Sequence, residues 1–389
     1  MALPRRSRAA LVLAIGLFSI LAGGATRIVQ DQCGPFTDVT PAFCPHILEL
    51  YYLGITAGTS ATTFSPDKPL TRGQAAVFVA KGLNQSVVRS SRRAALGQWW
   101  NPSSPVAGLG TTTLSDQPFF CVADGEDIWV GAASSVTRVH ASDGRVLGTW
   151  TGAINSLGIV AAMGRVFIAG QTQGGLLYMI DPSQPPGEVA VVATGLGSLS
   201  LRMAFDGSRL WVTDLGGSIA IITPAATTPW PVTHVTSGFV SLSGIAFDGS
   251  HMWVVDTDNE QPRAGRILEL DPDGNVLLTV PVGNFPHFPV FDGANIWVPN
   301  GVDGSVSVVQ AATGTVVTTL IGNGMVSPLA AAFDGSRILI IDASPGASLW
   351  RAADLSPLGV VSTSNPSDVC SDGLNFWVTL ISAHQLARL

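Results

Sequence analysis

The sequence predicts a mainly β protein: a seven-bladed β-propeller of four-stranded antiparallel blades over residues 106–389, preceded by a small α-helical module. Three observations lead there. One nine-residue phrase recurs seven times, its glycines keep a blade-like period, and charged residues are only 12 % of the chain, against roughly 25 % in an ordinary soluble protein. Low charge beside 46 % apolar residues indicates sheets covered on both faces.

The phrase reads VADGEDIWV at 122–130, AAMGRVFIA at 161–169, AFDGSRLWV at 204–212, AFDGSHMWV at 246–254, VFDGANIWV at 290–298, AFDGSRILI at 332–340 and CSDGLNFWV at 370–378. Its glycines, at 125, 164, 207, 249, 293, 335 and 373, are spaced by 38 to 44 residues, the period of a four-stranded propeller blade. A sheet that cannot cover its own faces stacks on identical neighbours around an axis.

The first element is a leader. Arg5, Arg6 and Arg8 precede an apolar run from Ala9 to Ala22, and Gly23-Gly24-Ala25 supplies the small residues a signal peptidase requires. The run is shorter than the roughly 20 apolar residues that span a bilayer. Residues 1–25 therefore read as a signal peptide rather than a retained anchor, with no membrane span after cleavage and a spacer at 26–35. Removing the leader leaves 17 basic against 27 acidic residues, a net charge near −10. An acidic chain without basic clusters excludes nucleic acid as a partner.

The second element is helical and spans 36–83, FTDVTPAFCPHILELYYLGITAGTSATTFSPDKPLTRGQAAVFVAKGL. Pro41 and Pro45 fit only a helix start, and Ile47, Leu48, Leu50, Tyr51 and Leu53 give that helix an apolar face. Thr71 with Gln74 three residues on forms a capping box for a second helix. The segment resembles one S-layer homology module over its whole length. Phe36, Asp38 and Val39 open it, Gly54-Ile55 and Gly58 follow the first helix, Phe64 and Pro66 mark the loop, and Leu70-Thr71-Arg72 begin the second helix. The resemblance implies that the module binds an anionic cell-wall polysaccharide through Arg72, with Thr71, Gln74 and Asp38 in the same set. An arginine suits that role because its planar fork pairs with carboxylates. It also implies a secreted protein held at the cell surface or cell wall. Gln74 stands where the family commonly has Glu, and polymer-binding proteins usually carry three such modules where this chain has one.

Residues 84–105, with Arg89, Arg92, Arg93, Trp99-Trp100 and Pro102 to Pro105, read as a linker with an aromatic anchor.

The blades follow. In the best-preserved one, Leu242 to Phe247 is an apolar strand, Asp248-Gly249 a hairpin turn, and Met252 to Val255 the second strand. Arg266 to Leu270 makes a third strand, Asp271 to Gly274 a turn, and Val276 to Val280 a fourth. Trp129, Trp211, Trp253, Trp297 and Trp377 each follow their marker glycine by four residues, while Ile168 and Leu339 take that place elsewhere. Aliphatic replacement assigns the position to the core between blades rather than to a carbohydrate platform. Asp214, Asp256 and Asp342 close second strands and are assigned to turn capping, because no second acidic set recurs with them to hold a metal. No catalytic residue, metal ligand or cofactor is assigned.

The last repeat ends at Leu389 without a fourth strand. Counting back from Gly125 by the spacing of the other blades reaches Val106 to Gly110, so residues from about 107 to 114 should complete the last blade. Four cysteines suggest a local pair, Cys33 with Cys44, and an end-to-end pair, Cys121 with Cys370. Cys121 lies four residues before its marker glycine and Cys370 three before its own, so they point to opposite faces of their strands. First and last blades meet through opposite faces. Both a disulfide across that junction and two buried thiols satisfy this geometry.

The segments 301–321, GVDGSVSVVQAATGTVVTTLI, and 265–283 resemble the YVTN-type propeller repeat, and more distantly the repeats of NHL proteins and streptogramin lyases. Those lyases depend on a metal and a catalytic histidine at one end of the channel. Here His140, His234, His251, His287 and His384 occupy non-equivalent positions, and only His287, just before an inner strand, is placed near a channel mouth. The reading is an exported envelope protein whose propeller is a scaffold for a protein or small-molecule ligand not yet identified. The alternative is an extracytoplasmic propeller enzyme of the lyase or lactonase type.

Overall fold

The computed structural model describes residues 33, 35–40, 43–52, 55–79, 110–257 and 265–389. The expected leader, the linker 84–105 and residues 106–109 lie outside them. The chain divides into two compact units, Met1–Ala95 and Leu96–Leu389.

In the first unit a helix, α1 (Cys44–Tyr52), is tied to the preceding segment by a Cys33–Cys44 disulfide. Phe36 is buried, with its ring edge-on to Tyr51 at 5.3 Å and to Phe64 at 5.7 Å between centroids. Ile47 and Ile55 complete this small core. Gly58 has φ +77°, and a Cβ there would stand 2.5 Å from the Phe36 ring, so backbone conformation and packing both require glycine. Residues 72–79 are helical.

The second unit is a ring of seven four-stranded antiparallel sheets. The inner strands of blades 1 to 7 are Pro118–Ala123, Ser156–Ala162, Ser200–Phe205, Leu242–Phe247, Val290–Phe291, Pro328–Phe333 and Pro366–Ser371. Six blades are meanders of consecutive strands. The seventh runs Pro366–Ser371, Phe376–Leu380, Gln385–Arg388 and is completed by Gly110–Thr113. The closing register pairs Gly110 with Arg388, Thr111 with Ala387, Thr112 with Leu386 and Thr113 with Gln385.

The marker glycines have φ between +67° and +104°, which explains the invariance of glycine at the hairpin. All five tryptophans are fully buried. Each indole Nε1 donates to the marker aspartate five residues earlier: Trp129 to Asp124, Trp211 to Asp206, Trp253 to Asp248, Trp297 to Asp292 and Trp377 to Asp372, at 2.7 to 3.1 Å. The other oxygen of the same carboxylate accepts backbone N–H groups of the turn, as Asp248 does from Ser250 and His251. One aspartate thus fixes the hairpin and satisfies the donor that a buried tryptophan brings inside.

Candidate functional site

In the first unit, Thr71 N–H donates to Gln74 Oε1 at 2.9 Å and Gln74 N–H to Thr71 Oγ1 at 3.2 Å. This reciprocal pair satisfies two donors of the helix start. Asp38 accepts from the backbone of Phe64 and Ser65 at 2.8 and 2.7 Å, and the Phe64 bond leads in holding its carboxyl below the usual carboxylate range. Three of the four expected polymer-contacting residues therefore have their polar atoms engaged in local structure. Arg72 sits between the two capping residues, within a continuously exposed stretch from Asp67 to Gln74. A guanidinium beside the positive end of a helix is an anion-attracting arrangement.

In the propeller, each inner strand begins at a loop arriving from the previous blade and ends at the marker hairpin. The ring therefore has an inlet face, formed by incoming loops and the connectors between second and third strands, and a hairpin face. Asp214, Asp256 and Asp342 lie at the inlet face and cap its loops. Asp214 accepts from Leu199 and Gly216, Asp256 from Val240 and Ser241, and Asp342 from Val326, Ser327 and Ser344, all through backbone N–H groups. Asp116 takes Ser134 and Ser135, and Asp303 takes Asn284. Asp214, Asp256 and Asp342 are buried, and the described part of this face exposes Ile154, Leu199, Val240, Val302 and Val326, each between 42 % and 65 % accessible. Solvated acids such as Asp143 and Asp354 stand instead on connectors of the hairpin face.

One repeat position, five residues before the marker glycine in six blades and six in the second, holds Phe120, Gly158, Arg202, Gly244, Phe288, Ala330 and Asp368. Only two members are charged, and they meet. Arg202 of blade 3 reaches Asp368 of blade 7 with Nη2 to Oδ1 at 2.5 Å and Nη1 to Oδ2 at 3.1 Å. Its guanidinium lies 3.8 Å from the ring centroids of both Phe120 and Phe288. Asp368, with a side chain only 1 % exposed, also accepts the Cys121 backbone N–H at 3.0 Å. Blades 1, 3, 5 and 7 are joined at one point. His287 lies beside it, edge-on to Phe285 at 4.5 Å and next to Phe288. Burial, assisted by the Arg202 charge, lowers its pKa to about 4, so the imidazole is neutral at pH 7.

Neither Arg202 nor Asp368 was singled out by the sequence. The available signal was the aligned repeat column, in which an arginine and an aspartate stand among glycine, alanine and phenylalanine. Cys121 and Cys370 are buried and unbonded, and both belong to one buried cluster at the junction of blades 1 and 7. Among the described residues no group of three or more His, Cys, Asp or Glu is arranged to hold a metal, and no helix is long and apolar enough to cross a membrane.

Residues 35–76 match the family model of the S-layer homology domain. A curated endoglucanase of Bacillus sp. (strain KSM-635) is 39 % identical over 75 residues, covering 19 % of this chain and 8 % of that protein. The chain thus spans a small fraction of the relative it matches. Among solved structures, the WD40 β-propeller domain of Doa1 superposes with a TM-score of 0.56 at 11 % identity, covering 72 % of this chain and 96 % of that one. This likeness is one of fold alone. S-layer homology domains as a class bind cell-wall polysaccharide, and the match associates this chain with the cell envelope.

Proposed function

We propose that this is an exported cell-envelope protein in which residues 36–83 hold cell-wall polysaccharide and the propeller serves as a binding scaffold. The observation that carries the reading is the S-layer homology match over 35–76, with Arg72 exposed at a helix start whose capping residues are already satisfied. Thr71 and Gln74 shape the helix start, Asp38 pins the loop before it, and Arg72 meets the anionic polymer. The aliphatic residues exposed on the described part of the inlet face support its use as the recognition surface, because apolar area left in water favours a partner. Purified chain mixed with isolated cell wall and sedimented provides the test. Binding is expected, with a marked loss for Arg72→Ala, whereas undiminished binding by that variant would remove Arg72 from the contact.

A further inference from the structure

The ring is closed between blades 1 and 7 by a strand of only four residues, Gly110–Thr113, three of them exposed. This is the one blade whose strands come from both ends of the unit, so its pairing, together with contacts between blades 1 and 7 such as Cys121 N–H to Asp368 and Thr379 Oγ1 to the Phe119 carbonyl, resists opening of the ring. Cys121 and Cys370 sit at this junction. The Cys121 sulfur lies 3.6 Å from the carbonyl oxygen of Trp377, and Trp377 is the residue directly across the ladder from Cys370. Both thiols belong to one buried cluster with Leu114, Val130 and Leu386. The same chain joins Cys33 to Cys44, so it matures where thiols are oxidised.

We propose that Cys121 and Cys370 are oxidised to a disulfide that locks the propeller ring, and that the bond is made before the ring closes. In the closed ring, burial pushes both thiols up, away from the reactive thiolate. Oxidation therefore belongs to the folding chain, in which blades 1 and 7 have met but water still reaches the sulfurs. The oxidant is an exchangeable disulfide, carried by a dithiol oxidoreductase or a small disulfide. One cysteine thiolate attacks it, forming a mixed disulfide and releasing one oxidant thiolate. The second cysteine thiolate then attacks the protein sulfur of that mixed disulfide and releases the other. Two protein thiols have lost two electrons and two protons, and the oxidant's disulfide has become two thiols. Once the ring packs, the same burial shields the bond from reductants.

The test uses the full chain exported into an oxidising compartment, denatured in N-ethylmaleimide and digested without reductant. A linked peptide pair containing Cys121 and Cys370 is expected, and maleimide on both cysteines would overturn the proposal. A second measurement needs no modification chemistry. Reduction should shift the unfolding equilibrium toward the unfolded chain by about 30-fold or more in a Cys33→Ala/Cys44→Ala variant. The further replacement of Cys121 and Cys370 by alanine should abolish that response. An equilibrium indifferent to reductant in the first variant would also overturn the proposal.

Discussion

Replacing Arg202 by methionine removes the charge at the centre of the ring while keeping an unbranched side chain between Phe120 and Phe288. The partner left behind is Asp368, whose side chain is 1 % exposed. It keeps the Cys121 N–H at 3.0 Å but loses both guanidinium contacts. Stranding one member of a buried pair costs about 3–5 kcal/mol, mostly desolvation no longer offset by attraction. Loss of the two close ring contacts adds roughly 1 kcal/mol. For a unit of this size each kcal/mol moves the melting midpoint by about 2–4 °C, so Arg202→Met should melt roughly 8 °C or more below the parent in near-UV circular dichroism. The double variant Arg202→Met/Asp368→Leu should recover most of that loss, because a buried pair exchanged for apolar groups is close to neutral. A single variant melting within about 2 °C of the parent would refute the assignment of this pair as the junction of four blades.

Other perturbations follow from the same geometry. Because the pKa of His287 is about 4 in the fold and 6.5 as a reference, the unfolded chain takes up its proton first as pH falls. Stability should drop by roughly 3 kcal/mol between those two values. In His287→Gln, denaturant titrations at pH 7 and pH 4.5 should differ by correspondingly less, and an unchanged difference would sink the point. Asp248→Ala leaves the Trp253 indole and two turn N–H groups without their acceptor. It should cost roughly 2 kcal/mol or more, read from the guanidinium midpoint by tryptophan fluorescence, with an effect below about 0.5 kcal/mol counting against it. Removing residues 106–114 should expose the amides of Leu386 and Arg388 to rapid hydrogen exchange, since these two face the closing strand. Protection equal to the parent would show that another segment had taken its place.

The sequence carried the fold further than the site, for a physical reason. Hairpin glycines answer to a local rule and recur in every blade, and buried tryptophans stand in five of the seven, so together they give away the period, the layering and the borrowed strand. Even so, tryptophan periodicity pointed only to burial; that each indole needed an acceptor, and that the marker aspartate supplied it, follows from burial geometry. The capping box at Thr71 and Gln74 is a contact three residues apart and was readable. Arg202 and Asp368 are 166 residues apart and meet only because a ring brings blades 3 and 7 together across its channel. The cysteines at 121 and 370 were legible as neighbours because their opposite-facing phases match a first-to-last junction. Their oxidation state depends on folding history rather than on position.

The central claim is that an S-layer homology module fastens this chain to an anionic wall polymer while the propeller remains available for a ligand. It is tested most directly by a binding isotherm of the purified full chain on isolated cell walls, before and after chemical removal of their anionic polysaccharide. Saturable binding that weakens with added salt and disappears from the stripped walls is the predicted result. Equal binding to stripped and intact walls, or none to either, would contradict it.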